Sequence, residues 1–122
     1  MWAVQAIVVI TTAGSEEEAN RLAGELVGRR LATCINVIPI RKSIYRWQGK
    51  LCEDSEFLLL IKSVENRYSA IEAAIQELHS YELPEILCFS VSRGEAGFLA
   101  WLADSLGRGG AQRAAGRDAD DA

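Results

Sequence analysis

Few side chains in this sequence have the type and spacing to do chemistry. His79 is the one imidazole of the chain. Copper and zinc favour imidazole and thiolate, so a metal site built on imidazole must use it. Two readings of His79 stand together: a metal ligand, or a helix-end histidine favoured by the negative end of a helix dipole. The thiols are Cys34, Cys52 and Cys88, odd in number and far apart, with no C-x-x-C pair. That spacing supports neither a disulfide framework nor a zinc site of the paired-cysteine type, and implies reduced, mostly buried thiols. Glu16, Glu17 and Glu18 are consecutive. On a helix they point in different directions, which suits dipole partners on a solvated face better than a metal cage. No Ser-His-Asp or Cys-His order has a workable spacing, so the sequence is not expected to be an enzyme.

The frame that must position these residues is small. The chain has 122 residues, 49% apolar and 25% charged, enough for one domain with an ordinary core. Net charge is −4, from 13 basic and 17 acidic side chains, and there is no basic run, so no nucleic-acid partner is expected. The opening MWAVQAIVVI has no basic n-region, and its apolar run is too short to span a bilayer. The expectation is a cytoplasmic protein with no membrane partner.

AVQAIVVITT (3–12) is a β-branched run that predicts a buried strand. Ser15 and Glu18 have capping-box spacing at the start of a helix reaching about Arg30, with Ala19, Leu22, Ala23, Leu26 and Val27 on one face. Thr33–Trp47 and Leu51–Ser63 form two long arms around a turn where Gly49 supplies a positive φ, and Pro39 should lie at a bulge or on an edge. Tyr68, Ile71, Ile75 and Leu78 mark a second helix over about 65–79. ILCFSV is a fourth strand, and Phe98 to Leu106 form a short last helix. This β-α-β-β-α-β order predicts an α+β, ferredoxin-like fold with an extra C-terminal helix, over residues 1–106. Residues 107–122 contain no large apolar side chain and are expected to be a disordered tail.

Each hairpin arm of about 13 residues spans roughly 43 Å at about 3.3 Å per residue. A domain of about 100 residues has a radius of gyration near 13 Å, so the arms should overshoot it. Tyr45 and Trp47 are two apart and point to one face. Left in water they would form an aromatic patch beside an open strand edge. The hairpin is therefore expected to reach a neighbouring subunit, with Tyr45 and Trp47 as anchors. The alternative is a hairpin bent back over its own sheet at Pro39.

The segments VVITTAGSEEEA, RRLATCINVIP, SIYRWQGKL, FLLLIKS and LHSYELPEI, in this order and spacing, resemble the CutA family of divalent-cation tolerance proteins over about residues 4–106. The resemblance implies a ferredoxin-like homotrimer joined through long hairpins, with tolerance to copper and other divalent metals as its function. It also implies similarity to PII-type trimers, which hold small ligands in clefts between subunits. Some relatives have a metal-binding cysteine where this chain has Thr11, and two adjacent histidines where it has Leu78 and His79. Of the carried-over ligands only His79 remains, with Glu82 as a possible helper, which implies weak copper binding. Cys34 matches the family's A-C-[VI]-N segment and Tyr81, Glu82, Pro84 and Glu85 its Y-[EQ]-x-P-E loop. The resemblance therefore implies an intersubunit cleft lined by Cys34, Lys62, Tyr81 and Glu82, with Lys62 suited to a small anion. A lysine at that place otherwise snorkels to water.

Overall fold

The structure, a computed structural model, describes residues 4–107. The first strand, β1, runs Ala6–Ala13. Ser15 ends the turn after it as an N-cap, its hydroxyl accepting the Glu18 N–H at 3.1 Å, and α1 follows over Glu16–Gly28. The two hairpin arms are β2, Cys34–Trp47, and β3, Lys50–Val64. A 3-10 turn at Glu65–Arg67 leads into α2, Tyr68–Leu78. The last elements are β4, Leu87–Ser90, and α3, Ala96–Asp104. The elements and their order are those the sequence implies, with ends differing by a few residues. The expected tail lies outside the described residues from position 108 onward.

The four strands form one antiparallel sheet in the order β2-β3-β1-β4. Strand alternation sorts its side chains into two faces. Ile7, Val9 and Ala13 of β1 and Leu59 and Ile61 of β3 join Ala19, Leu22 and Leu26 of α1 and Ile71, Ala74 and Ile75 of α2 in the main core. Burying a side chain such as Leu22 or Ile61, both fully enclosed, stabilises the fold by roughly 1.5–3 kcal/mol each. The opposite face carries no helix over most of its area. Only at one end does α3 cover it, packing Leu102 and Leu106 on Ala6 and Val64. That helix is tied down at both margins. Thr33 Oγ1 donates to the Leu102 carbonyl at 2.6 Å, and Arg67 donates to the carbonyls of Leu106 and Gly107 at 3.3 and 3.1 Å.

β1 stops opposite Phe57, so β3 has no second neighbour from Lys50 to Glu56. There the hairpin continues as a two-stranded ribbon of about seven residue pairs, roughly 23 Å long at about 3.3 Å per residue. It closes through Gln48 and Gly49, both left-handed at φ 52° and 81° between the paired Trp47 and Lys50. A two-residue loop with both φ values positive is the turn whose twist matches the strands it joins. Pro39 lies on the edge strand β2, as its missing donor requires, and the register slips by one residue just beyond it. Ile40 pairs with Glu56 and Ser43 with Asp54, so Arg41 and Lys42 hold one extra residue. The Ser55 hydroxyl donates to the Arg41 carbonyl at 3.2 Å within this bulge. Before the slip, the even positions Cys34, Asn36, Ile38 and Ile40 share the helix-free face. After it, the odd positions Ser43, Tyr45 and Trp47 do.

Candidate functional site

Beyond the end of β1, the helix-free face folds into a cleft of about 680 Å³. Thr12, Leu58 and Glu56 form its floor, Ile40, Ser43, Ile44, Tyr45 and Trp47 one wall, and Tyr81, Glu82, Leu83 and Glu85 the other. The second wall is the loop from α2 to β4, which wraps round the end of the sheet. Its anchor is Tyr81, whose hydroxyl donates to Glu56 Oε2 at 2.7 Å. Burial, then this carboxylate, push the Tyr81 phenol well above its ordinary range, so it stays a neutral donor. Gly14 lets the ring approach: a Cβ there would stand 3.1 Å from the Tyr81 hydroxyl oxygen. Across the cleft the Tyr45 hydroxyl donates to Asp54 Oδ2, and its pKa is pushed up to about 12, chiefly by that bond.

Beneath the loop lies a buried polar knot. The His79 side chain is fully enclosed. Its Nε2–H donates to the Thr12 carbonyl at 2.6 Å, and its Nδ1 accepts the Tyr81 backbone N–H at 3.0 Å. With one nitrogen against a carbonyl and the other against an N–H, neither is left free, and Nδ1 also lies 3.4 Å from Glu18 Oε2. Glu18, buried on α1, accepts from Ser80 N–H at 2.7 Å and the Ser80 hydroxyl at 3.0 Å. Burial acts to raise the Glu18 pKa, but the two Ser80 bonds, the nearby His79 and a bond from the Gly14 backbone together outweigh it and hold the carboxyl below its ordinary value. The knot therefore ties the start of α1, the end of α2 and the end of β1 to the loop that walls the cleft.

This geometry corrects three expectations. His79 does not present a metal ligand, because both ring nitrogens are engaged by the backbone. Among the described residues, no group of three or more His, Cys, Asp or Glu side chains is placed to hold a metal ion, so copper does not fit a site within one chain. Glu18 is not on a solvated face, although Glu16 and Glu17 are. The implied site also divides. Tyr81 and Glu82 line the cleft, while Cys34 and Lys62 are paired opposite each other toward the other end of the sheet. Lys62 is six residues from Glu56 along β3, roughly 20 Å away. Neither Cys34 nor Lys62 reaches the cleft, and among the described residues no cation lines it. A small anion would meet Glu56, Glu82 and Glu85 there instead.

Sequence reasoning missed Glu56 and Thr12. Glu56 is nine-tenths buried, and the signal for it was its place two residues before Leu58, in phase with the helix-free side of FLLLIK. Thr12 acts through its backbone carbonyl, which leaves no mark in residue type.

Fold and site together define a small α+β protein: one antiparallel sheet, two long helices on one face, an acidic aromatic cleft on the other. Residues 7–105 match the family described as CutA1 divalent ion tolerance protein, and the chain belongs to it. It is 41% identical over 100 residues to a divalent-cation tolerance protein CutA of Thermus thermophilus, covering 82% of this chain and 97% of that one. The solved structure from that organism superposes with a TM-score of 0.78 over 80% of this chain and 95% of the other. CutA1 of Oryza sativa superposes at 0.79 with 36% identity, over 82% and 92% of the two chains. A CutA of Archaeoglobus fulgidus, titled periplasmic, superposes at 0.80 with 33% identity, over 83% and 98%. A rice relative is called chloroplastic, so relatives occupy more than one compartment. Among the described residues no helix is long and apolar enough to cross a membrane.

Proposed function

We propose that the chain serves divalent-cation tolerance as a homotrimer, with a cation-facing cleft at each subunit junction and no catalytic chemistry. One observation carries this reading: among the described residues, half of one sheet face has no covering element. Ile38, Leu87 and Phe89 on the helix-free face and Tyr45 and Trp47 on the ribbon are all more than a third exposed. A contiguous apolar face of this kind marks an interface, and a two-stranded ribbon is marginal on its own. The split-βαβ strand order, with both long helices on one side, leaves the other side free for the partners. The relatives' names supply the role in divalent-cation tolerance.

The carboxylates of Glu56, Glu82 and Glu85 set the sign of what the cleft accepts. Copper(II) drawn to this charge meets carboxylate oxygens that are not grouped to hold it, and binds weakly. Copper(I), which prefers soft sulfur, turns instead to thiols such as Cys34. Sedimentation at micromolar concentration is expected to give the trimer mass, and a monomer would overturn the assembly. In calorimetric titration, weak copper(II) binding should survive His79→Ala, since that ring faces inward. Loss of binding in a folded His79→Ala protein would restore the imidazole as ligand.

A further inference from the structure

We propose that the cleft receives an organic cation, an ammonium or guanidinium group on a small molecule. The inference rests on the reading of the cleft as cation-facing and names the class of ligand. Size is the first argument. A cavity of about 680 Å³ falls within the roughly 300–1,000 Å³ of small-molecule sites and far exceeds the share of a bare ion. Coordination is the second. A hard divalent ion collects about six oxygens within roughly 2.0–2.6 Å, whereas among the described residues no acidic trio is placed for that. An organic cation needs no such shell. It needs negative charge nearby and aromatic faces within about 6 Å, and the cleft has both kinds of group in its walls.

The lining supplies these parts separately. Tyr45 and Trp47 stand on the ribbon and Tyr81 on the loop, with Glu82 and Glu85 beside it. Tyr45 and Trp47 are 40% and 43% exposed in the single chain, so at the subunit junction their rings offer surface for a second copy and a small ligand to share. Glu56 gives Oε2 to the Tyr81 hydroxyl, and its Oε1 takes no donor among the described residues. A nine-tenths-buried carboxylate with one free oxygen at the floor gives the charged head a place, and Leu58 and Ile40 give its carbon skeleton one. Among the described residues, no lysine, arginine or histidine lines the cleft to neutralise it.

The test uses the full chain with butylammonium and tetramethylammonium, and butyrate as an anion of matched skeleton. Binding is followed by calorimetry and by tryptophan fluorescence, with Trp47→Phe to assign the optical signal. Saturable binding of the ammonium probes and none of butyrate is expected. The Glu82→Gln, Glu85→Gln double variant should bind roughly three- to tenfold more weakly, as for two exposed charge pairs. Butyrate binding as well as butylammonium overturns the proposal without any variant. So does a trimer that takes copper(II) but neither ammonium probe, a result that leaves the proposed function intact and points to a basic side chain of a second copy in the cleft. Failure of copper(II) and both ammonium probes together rejects the cation-facing reading itself.

Discussion

The two halves of the long hairpin follow the same alternation in different company. From Phe57 to Val64, β3 lies between β1 and β2 with two helices over one face, and Leu59 and Ile61 are fully buried. From Lys50 to Glu56 the same strand has one neighbour and no covering layer, and Leu51 is 68% exposed. The lower half is stabilised by its own chain. The upper half has the length and side chains of an interface but not the burial of one. Stability should therefore separate into a part independent of protein concentration and a part that depends on it.

The largest effect should come from the covered half. Leu59→Ala leaves a cavity in a closed core and should cost about 2–5 kcal/mol in urea unfolding, by a similar amount at every protein concentration. A strongly concentration-dependent loss would erase the contrast. Trp47→Ala is the complementary change. It should cost about 2 kcal/mol per interface in assembly, seen as dissociation on dilution, while the helix signal of the separated chain persists. Unchanged sedimentation would show the ribbon to be a free arm.

Two smaller changes sharpen the picture within the covered half. Glu18→Gln replaces a carboxylate that accepts two Ser80 bonds, and should cost about 1.5 kcal/mol at neutral pH. The folded state holds the Glu18 pKa below its ordinary 4.5, so its contribution is complete above that value and is lost as pH falls through the folded one. Wild type and variant should therefore converge in stability in acid and differ at neutral pH, and parallel curves would remove Glu18 from the account. Thr11 is fully buried, and its hydroxyl has no partner among the described residues. Thr11→Val should stabilise the protein by about 1 kcal/mol, measured as a raised unfolding midpoint. A loss instead would reveal a partner for that oxygen.

Much of this architecture was legible because it is local. Ser15 announces a helix start, Gly49 a turn, and the β-branched run of β1 a buried strand, each from neighbours within a few residues. What the sequence hid depends on contacts across the chain. Glu16, Glu17 and Glu18 are identical in type, and only Ser80, 62 residues away, decides that the third turns inward. His79 reads as a ligand until the Thr12 carbonyl and Tyr81 N–H occupy its nitrogens. Cys34 and Lys62 share a family segment with the cleft but not its end of the sheet, because register, not motif, sets that distance. Gln48 adopts a left-handed backbone that its type does not announce.

The extra residue at Arg41 and Lys42 is a place where one arm of the hairpin can change its length by one residue. Removing one residue there would restore unbroken pairing and leave Ser43, Tyr45 and Trp47 on the helix-free side, opposite Asp54, Cys52 and Lys50 as before. Removing a matched pair from both arms farther out would only shorten the ribbon. A single deletion at the bulge and a paired trimming at the tip differ little in composition. Both keep the faces of the ribbon, whereas a single deletion in one arm beyond the bulge would set part of that arm to the opposite face, so an odd change in length should be tolerated at Arg41 and Lys42 and not elsewhere in the ribbon.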